Sequence, residues 1–232
     1  MNIQTRQGQK VQVDARVAAR AAFERPQSPG EEFANTVSHG VALLAAIAAV
    51  PFLIVASIHL GTSHVVGASI FSGAMVLLYL ASTLYHALPI GRAKQLMQKL
   101  DHSAIYLLIA GSYTPFTLGA LNGPWGWTLL ALVWSLAALG IALKVLDRLA
   151  NPWLSTGLYL AMGWLVLIAA VPLVERVAAT GIALLVAGGL AYSVGVVFYA
   201  LDSRVRYAHT VWHGFVAAGT GCHIFAVMLY SA

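Results

Sequence analysis

The stretch Tyr207-Ala208-His209-Thr210-Val211-Trp212-His213-Gly214 opens the last apolar segment of the chain. His209 and His213 are four residues apart, so on an α-helix their side chains lie one above the other on the same face. Two imidazoles arranged in this way can bind one metal ion, as the paired histidines of helical zinc enzymes do. The stretch therefore predicts a helix with a metal-binding face.

The composition around this stretch is that of a membrane protein. Hydrophobic residues make up 59% of the 232 residues and charged residues only 9%, whereas a soluble domain carries about 25% charge. The single cysteine, Cys222, excludes a disulfide within the chain. The first 35 residues carry charge throughout and contain no apolar segment, so we expect no signal peptide.

Seven apolar segments predict an all-α membrane protein, a seven-transmembrane helix bundle. Each segment is near the roughly 20 residues that a membrane-spanning helix needs, and the short connections make successive helices antiparallel neighbours. The predicted spans cover residues 36–60, 64–88, 100–121, 125–146, 153–174, 179–201 and 208–230. We divide the chain into a basic cytoplasmic N-terminal segment, residues 1–31, and a seven-helix transmembrane domain, residues 32–232.

The N-terminal segment has a weak helical pattern. Val13, Val17 and Ala21 recur every four residues beside a parallel row of charged side chains. Two interpretations stay open: a short amphipathic helix on the membrane surface, or a partly disordered basic tail.

The basic residues predict how the bundle is oriented. Of the 13 Lys and Arg residues, only Arg176 falls on the opposite side from the others. The positive-inside rule then places the N-terminus in the cytoplasm and the C-terminus outside, as a multi-pass protein of the plasma membrane, the inner membrane of a bacterium. The net charge of +5 is explained by topology and by contact with anionic lipid. We therefore expect membrane lipids as partners and no nucleic acid, and the sequence specifies no oligomeric state.

Polar residues from several predicted spans share one depth near the cytoplasmic side. Ionisable residues inside spans are costly and usually functional. Ser82 and His86 lie near the cytoplasmic end of the second predicted helix, and Asp101 lies at the start of the third, level with His209 and His213. Three histidines with a fourth position open are typical of a catalytic zinc site. We therefore predict that His86, His209 and His213 bind Zn²⁺.

The other polar residues of this layer are candidates for supporting roles. Asp101 and Ser82 could hold a water molecule or support the ligands. Because Thr210 stands where the zincin motif has glutamate, a general base must come from another helix, and Asp101 is best placed by depth. An isolated histidine near a helix end is ordinarily an interfacial side chain, and the shared depth and spacing favour metal binding here. We expect roles in supporting the ligands or the fold for Glu32, Asn35, His39 and His102.

Taken together, these motifs resemble the hemolysin III-like branch of the progestin and adiponectin receptor (PAQR) family, which is related to alkaline ceramidases. The matching stretches are Glu32-Phe-Ala-Asn35-Thr-Val-Ser-His39-Gly40, Ser82-Thr-Leu-Tyr-His86, Asp101-His-Ser-Ala-Ile-Tyr106 with Ala110-Gly-Ser-Tyr-Thr-Pro115, and His209-Thr-Val-Trp-His213. The resemblance implies a seven-helix bundle with its N-terminus inside and zinc in the cytoplasmic half. It also implies that His86, His209 and His213 are the ligands, and that Asp101 and Ser82 act on the water at the zinc.

The site and the resemblance favour a zinc-dependent intramembrane hydrolase. Its substrate would be a lipid amide or ester with an acyl chain, as for a ceramidase, and its role would lie in membrane lipid homeostasis. One alternative is a non-enzymatic membrane sensor or receptor with a structural zinc. A haemolysin-type pore-former, which the family name suggests, is less favoured, because a secreted pore-former needs a soluble state and this chain is apolar through most of its length.

Overall fold

The computed structural model describes residues 25–149 and 151–231, and these residues form helices and turns with no β-strand. The amphipathic pattern of the N-terminal segment, at residues 13–24, lies outside the described residues. The helices are α1 (Pro29–Ile58), α2 (Thr62–Ala87), α3 (Arg92–Leu118), α4 (Pro124–Val145), α5 (Pro152–Gly163), a 3₁₀ segment (Leu165–Ala169), α6 (Ala170–Arg176), α7 (Ala179–Leu201) and α8 (Ala208–Tyr230).

Helix α1 begins before its predicted start at residue 36 because the sequence there carries a complete start signal. Ser28 is the N-cap residue, and its hydroxyl accepts a hydrogen bond from the Glu31 backbone N–H. The Glu31 carboxylate accepts in return from the Ser28 backbone N–H at 2.9 Å, which completes a capping box. Pro29 occupies the first helical position, where its missing N–H costs nothing.

Among the described residues, six elements are long and apolar enough to cross a membrane. They are α1, α2, α4, the run Pro152–Arg176, α7 and α8. Helix α3 is outside this group, since its first turns carry Arg92, Lys94, Lys99 and Asp101. The all-helical fold is therefore established, whereas the count of seven spans and the orientation of the termini stay predictions.

The predicted fifth span, residues 153–174, is not one continuous helix. Helix α5 ends at Gly163, and a 3₁₀ segment separates it from α6. The Tyr113 hydroxyl of α3 bridges this break. It donates to the carbonyls of Met162 and Gly163, both at 2.8 Å, and accepts from the Val166 N–H at 2.9 Å. Tyr113 thereby satisfies backbone groups that would have no water partner in a bilayer.

The packing order of the helices positions the polar layer. Consecutive helices pack together from α1 to α4, α7 packs on α8, and α1 closes against α8. Core side chains such as Phe71 and Met75 are fully buried, whereas Phe33 and Leu44 of α1 are 71% and 68% exposed, as expected for a face in contact with lipid. Because α1 lies against both α2 and α8, the C-terminal end of α2 and the start of α8 can meet around it.

Candidate metal centre

Three imidazoles from two helices converge at the site. His86 lies near the end of α2, and His209 and His213 occupy successive turns at the start of α8. One ring nitrogen from each lies within 4.8 Å of the others. As whole residues, His86, His209 and His213 are 4%, 9% and 1% exposed. The spacing of four residues in α8 therefore puts both of its imidazoles on one face, as the sequence indicates.

Two of these histidines are oriented by carboxylates. His86 Nδ1 lies 2.7 Å from Oε2 of Glu32 in α1. His209 Nδ1 lies 2.9 Å from Oδ2 of Asp202, which follows α7. A carboxylate accepts only, so in the neutral imidazoles the proton is on Nδ1 and the lone pair is on Nε2. Such carboxylate–histidine pairs are the usual support of metal-ligating histidines.

The third histidine is oriented by a hydroxyl. His213 Nδ1 lies 3.0 Å from Ser38 Oγ, and the Ser38 hydroxyl donates its own proton to the Asn35 carbonyl at 2.9 Å. Ser38 Oγ must therefore accept from His213 Nδ1–H, which again leaves the lone pair on Nε2.

The opposite nitrogens of the three rings fit a metal ion. The Nε2 atoms of His86, His209 and His213 are buried and have no hydrogen-bond partner, although nearly all buried polar atoms in folded proteins have one. Three neutral imidazole lone pairs at this mutual distance are a donor set for a divalent ion such as zinc. The arrangement thus fits an ion held by three histidines, with a further position left for water or substrate.

The start of α8 is held by the start of α1. Tyr207, the N-cap residue of α8, has a left-handed backbone with φ of 61°, which is uncommon outside glycine. Its N–H donates to Glu31 Oε1 at 3.0 Å, and Glu31 is itself 1% exposed and bonded twice to Arg25. The Glu31 carboxylate raises the pKa of the Arg25 guanidinium above its ordinary value. Asn35 adds a second link, since its Oδ1 accepts from the Thr210 hydroxyl.

His39 and Ser82 lie beside the three-histidine group. The His39 ring stacks on His213 with centroids 3.4 Å apart and planes 10° apart. His39 Nδ1 lies 2.7 Å from Ser82 Oγ, and Ser82 is fully buried. His39 Nε2 also lacks a partner, but His39 is not one of the three residues whose ligand atoms all converge.

Asp101 lies on the wall of an apolar cavity next to the histidines. Its carboxyl lies close to the Ser82 hydroxyl and to the His209 imidazole. The cavity has a volume of about 140 Å³ and adjoins a second one of about 220 Å³. Residues that line both include Ser112, Tyr113, Gly163, Trp164, Gly189 and His223. The apolar space therefore extends from Asp101 along α3 to the break after α5.

Comparison with known proteins gives the family. Residues 28–224 match the family model described as haemolysin-III related. The chain belongs to the haemolysin-III-related family. It is 44% identical over 201 residues to the hemolysin-3 homolog of Bacillus subtilis, covering 86% of this chain and 94% of that protein. It is 45% identical over 201 residues to hemolysin-3 of Bacillus cereus, covering 86% and 91%.

A more distant relative is human. The monocyte to macrophage differentiation factor of Homo sapiens is 28% identical over 170 residues, covering 69% of this chain and 68% of that protein. These matches confirm the resemblance to the hemolysin III-like branch that the motifs predicted. The apolar helices and the family together make this haemolysin-III-related protein a multi-pass integral membrane protein, and its bacterial relatives are consistent with a location in the inner membrane.

Two supporting residues of the haemolysin-III-related site escaped the sequence analysis. Ser38 could have been considered, because it directly precedes His39 in a stretch that the sequence analysis had identified. Asp202 could have been considered too, because it directly follows the sixth predicted span, on the predicted cytoplasmic side. Neither contact follows from the helical period, because each joins a histidine of α8 to a residue outside that helix.

His102 is a predicted supporting residue that lines the cavity without belonging to the three-histidine group. Its backbone carbonyl accepts from the Tyr159 hydroxyl at 2.9 Å, and it lines the first cavity. It is not part of the three-histidine group. By contrast, Glu32 contacts a predicted ligand directly, and Asn35 is bonded to the residue that follows one.

Proposed function

We propose that the protein is a zinc-dependent intramembrane hydrolase that acts on a lipid amide or ester and contributes to membrane lipid homeostasis. One observation carries the proposal: three buried, unpartnered Nε2 atoms converge beside an apolar cavity whose wall contains Asp101. An apolar pocket with a few convergent polar groups is the usual form of a small-molecule site.

The roles of the residues follow from their positions. Zinc held by His86, His209 and His213 would lower the pKa of a water molecule and polarise the substrate carbonyl. Asp101 is the general base: its carboxylate takes a proton from the attacking water and returns it to the leaving amine or alcohol. Ser82 Oγ lies 2.7 Å from His39 Nδ1. With the imidazole proton on Nδ1, Ser82 accepts from His39, and its own hydroxyl proton is left for Asp101 or for the oxygen that gains charge in the transition state.

The cavities indicate the class of substrate. Their lining is almost entirely apolar away from the Asp101 end, so the part of the substrate that enters them is an acyl chain. The scissile carbonyl would then lie between Asp101 and the three histidines. A membrane lipid with an amide or ester bond near its headgroup meets both requirements.

The proposal also assigns seven spans with the N-terminus in the cytoplasm. Helix α3 has 27 residues and packs against both α2 and α4, as a spanning helix of the bundle would. Its charged first turns, from Arg92 to Asp101, would then lie at the cytoplasmic boundary, where charges are least costly. The histidine site falls in the same half of the membrane.

A paired measurement of metal content and hydrolysis tests the function. Purified wild-type protein should hold about one zinc per chain and hydrolyse members of a panel of ceramides and other acyl amides and esters. The His86→Ala, His209→Ala, His213→Ala triple variant should hold none. Asp101→Ala should keep zinc and lose activity by about 10²- to 10⁴-fold, the usual contribution of a general base.

The matched control is Asp147→Ala. Asp147 is a surface carboxylate, 73% exposed and paired with Lys99 at 2.8 Å, so its loss should leave zinc and activity unchanged. Full function in Asp101→Ala together with unfolding of His86→Ala would contradict the hydrolase and support a sensor with a structural zinc. Ion flux in liposomes that persists after zinc removal would instead support a pore.

A further inference from the structure

Asp202 connects a proposed zinc ligand to the segment that precedes α1. Its Oδ2 accepts from His209 Nδ1 at 2.9 Å. Its Oδ1 accepts from the side-chain amide of Gln27 at 2.5 Å. Asp202 follows the last residue of α7 and is 24% exposed, so without a second contact its carboxylate could rotate into solvent. Gln27 therefore restricts the orientation of the group that orients His209.

Gln27 belongs to the segment Arg25–Ser28, which we call the strap, and the hydrogen bonds of this segment hold it in place. Gln27 Oε1 accepts from the side-chain amide Nδ2 of Asn35 at 3.3 Å, and Asn35 is completely buried. At the two ends of the strap, Arg25 and Ser28 both bond the Glu31 carboxylate. The strap thus rests on buried residues of α1, and Gln27 reaches from it to Asp202.

The same arrangement recurs at a second ligand. Glu32 contacts His86 Nδ1 through Oε2 at 2.7 Å, and its Oε1 lies 2.9 Å from Lys94 Nζ. Each carboxylate that supports a histidine therefore has its second oxygen bound by another side chain. For His86 that side chain comes from the start of α3, and for His209 it comes from the strap.

We propose that Gln27 is a positioning residue of the zinc site. By binding Oδ1 of Asp202 it fixes the carboxylate that fixes the His209 imidazole, so that zinc affinity depends on the strap. This inference rests on the proposed function, because it assumes that His209 is a zinc ligand. It goes further in making a residue of the N-terminal region, which contacts no histidine itself, part of the site.

Zinc affinity measured by competition with a chelator tests the proposal on the purified full-length protein. Loss of a group that supports a metal ligand typically weakens binding about 10- to 100-fold, and Asp202→Ala should fall in this range. Gln27→Ala should give a smaller, several-fold loss. In the Asp202→Ala background, Gln27→Ala should have little further effect, because its direct route to His209, through the Asp202 carboxylate, is already removed. If Asp202→Ala does not fold, Asp202→Leu, which is close to the size of aspartate and offers no hydrogen-bond acceptor, takes its place.

Gln95→Ala is the matched control, since Gln95 is an exposed glutamine of α3; its zinc affinity should equal that of the wild type. The zinc-free Gln27→Ala and Gln95→Ala proteins should both be fully folded at the temperature of the affinity measurement, which separates positioning from unfolding. Unchanged affinity in Gln27→Ala, or equal losses with and without Asp202, would overturn the inference while the zinc site stands. A wild-type protein that binds no zinc would overturn both.

Discussion

At the scale of single residues, Tyr113 stabilises the backbone of another helix as well as packing in the core. Its hydroxyl makes three hydrogen bonds to the backbone at the break between Gly163 and Leu165. Tyr113→Phe keeps the ring and leaves the Val166 N–H and two carbonyls without this partner. A buried polar group left unpaired costs about 1–3 kcal/mol, so the variant should unfold at lower temperature than the wild type in detergent.

Tyr106→Phe is the control for that measurement. The Tyr106 ring is fully buried, and its hydroxyl lies 3.5 Å from Ser155 Oγ, at the limit of a hydrogen bond. Its removal should lower the unfolding temperature much less. Equal shifts in the two variants would show that the break between α5 and the 3₁₀ segment does not depend on the Tyr113 hydroxyl.

Single residues also show where sequence reasoning reaches its limit at the site. His209 and His213 could be grouped because the helical period fixes their separation, and His86 could be added because the predicted spans fix its depth. Asp202 could not be assigned to His209, because its approach depends on the turn between α7 and α8, which ends in the left-handed Tyr207. Such a turn is set by tertiary contacts, here with Glu31, and has no period in the sequence.

At the scale of elements, α2 and α3 approach so closely at Gly67 that a larger residue does not fit between them. A Cβ on Gly67 would lie 2.8 Å from Cα and 3.2 Å from N of Pro115, and backbone atoms cannot rotate away. Gly67→Ala must therefore push the helices apart, at the roughly 1–3 kcal/mol typical of overpacking. Gly73→Ala in the same helix is the control: nothing lies within 4 Å of its added Cβ, and it should be neutral or slightly stabilising. Thermal unfolding of both variants in detergent checks the prediction, and equal stability would contradict it.

The sequence also predicts the ends of some elements and not of others. Helix α1 could have been placed at its true start, since Ser28, Pro29 and Glu31 form a recognisable signal. The break after Gly163 lies inside the continuous apolar stretch 153–174 and gives no change of period. It is stable because Tyr113, some 50 positions away in the sequence, supplies the missing hydrogen bonds. Contacts of that separation follow from the fold and cannot be derived from a local pattern.

At the scale of the whole molecule, the number of spans decides where the C-terminus lies. If α3 crosses the membrane, the chain has seven spans and its ends lie on opposite sides. If α3 stays at the surface, six spans place both ends on the same side. The basic residues support the first arrangement, because counting α3 as a span leaves only Arg176 apart from the other cations.

Reporter fusions that are active on only one side of the membrane separate these arrangements. A fusion after Asn122, between α3 and α4, and a fusion after Ala232 should both report the outside. A fusion after Arg204, between α7 and α8, should report the cytoplasm, so the series contains both signals. With six spans each of these three fusions would report the opposite side, since every span after α3 would reverse its direction. That outcome would leave His86 on the cytoplasmic side and put His209 and His213 on the opposite side, so it would remove the depth argument that grouped them. It would also be incompatible with the convergence of one nitrogen from each of the three rings within 4.8 Å.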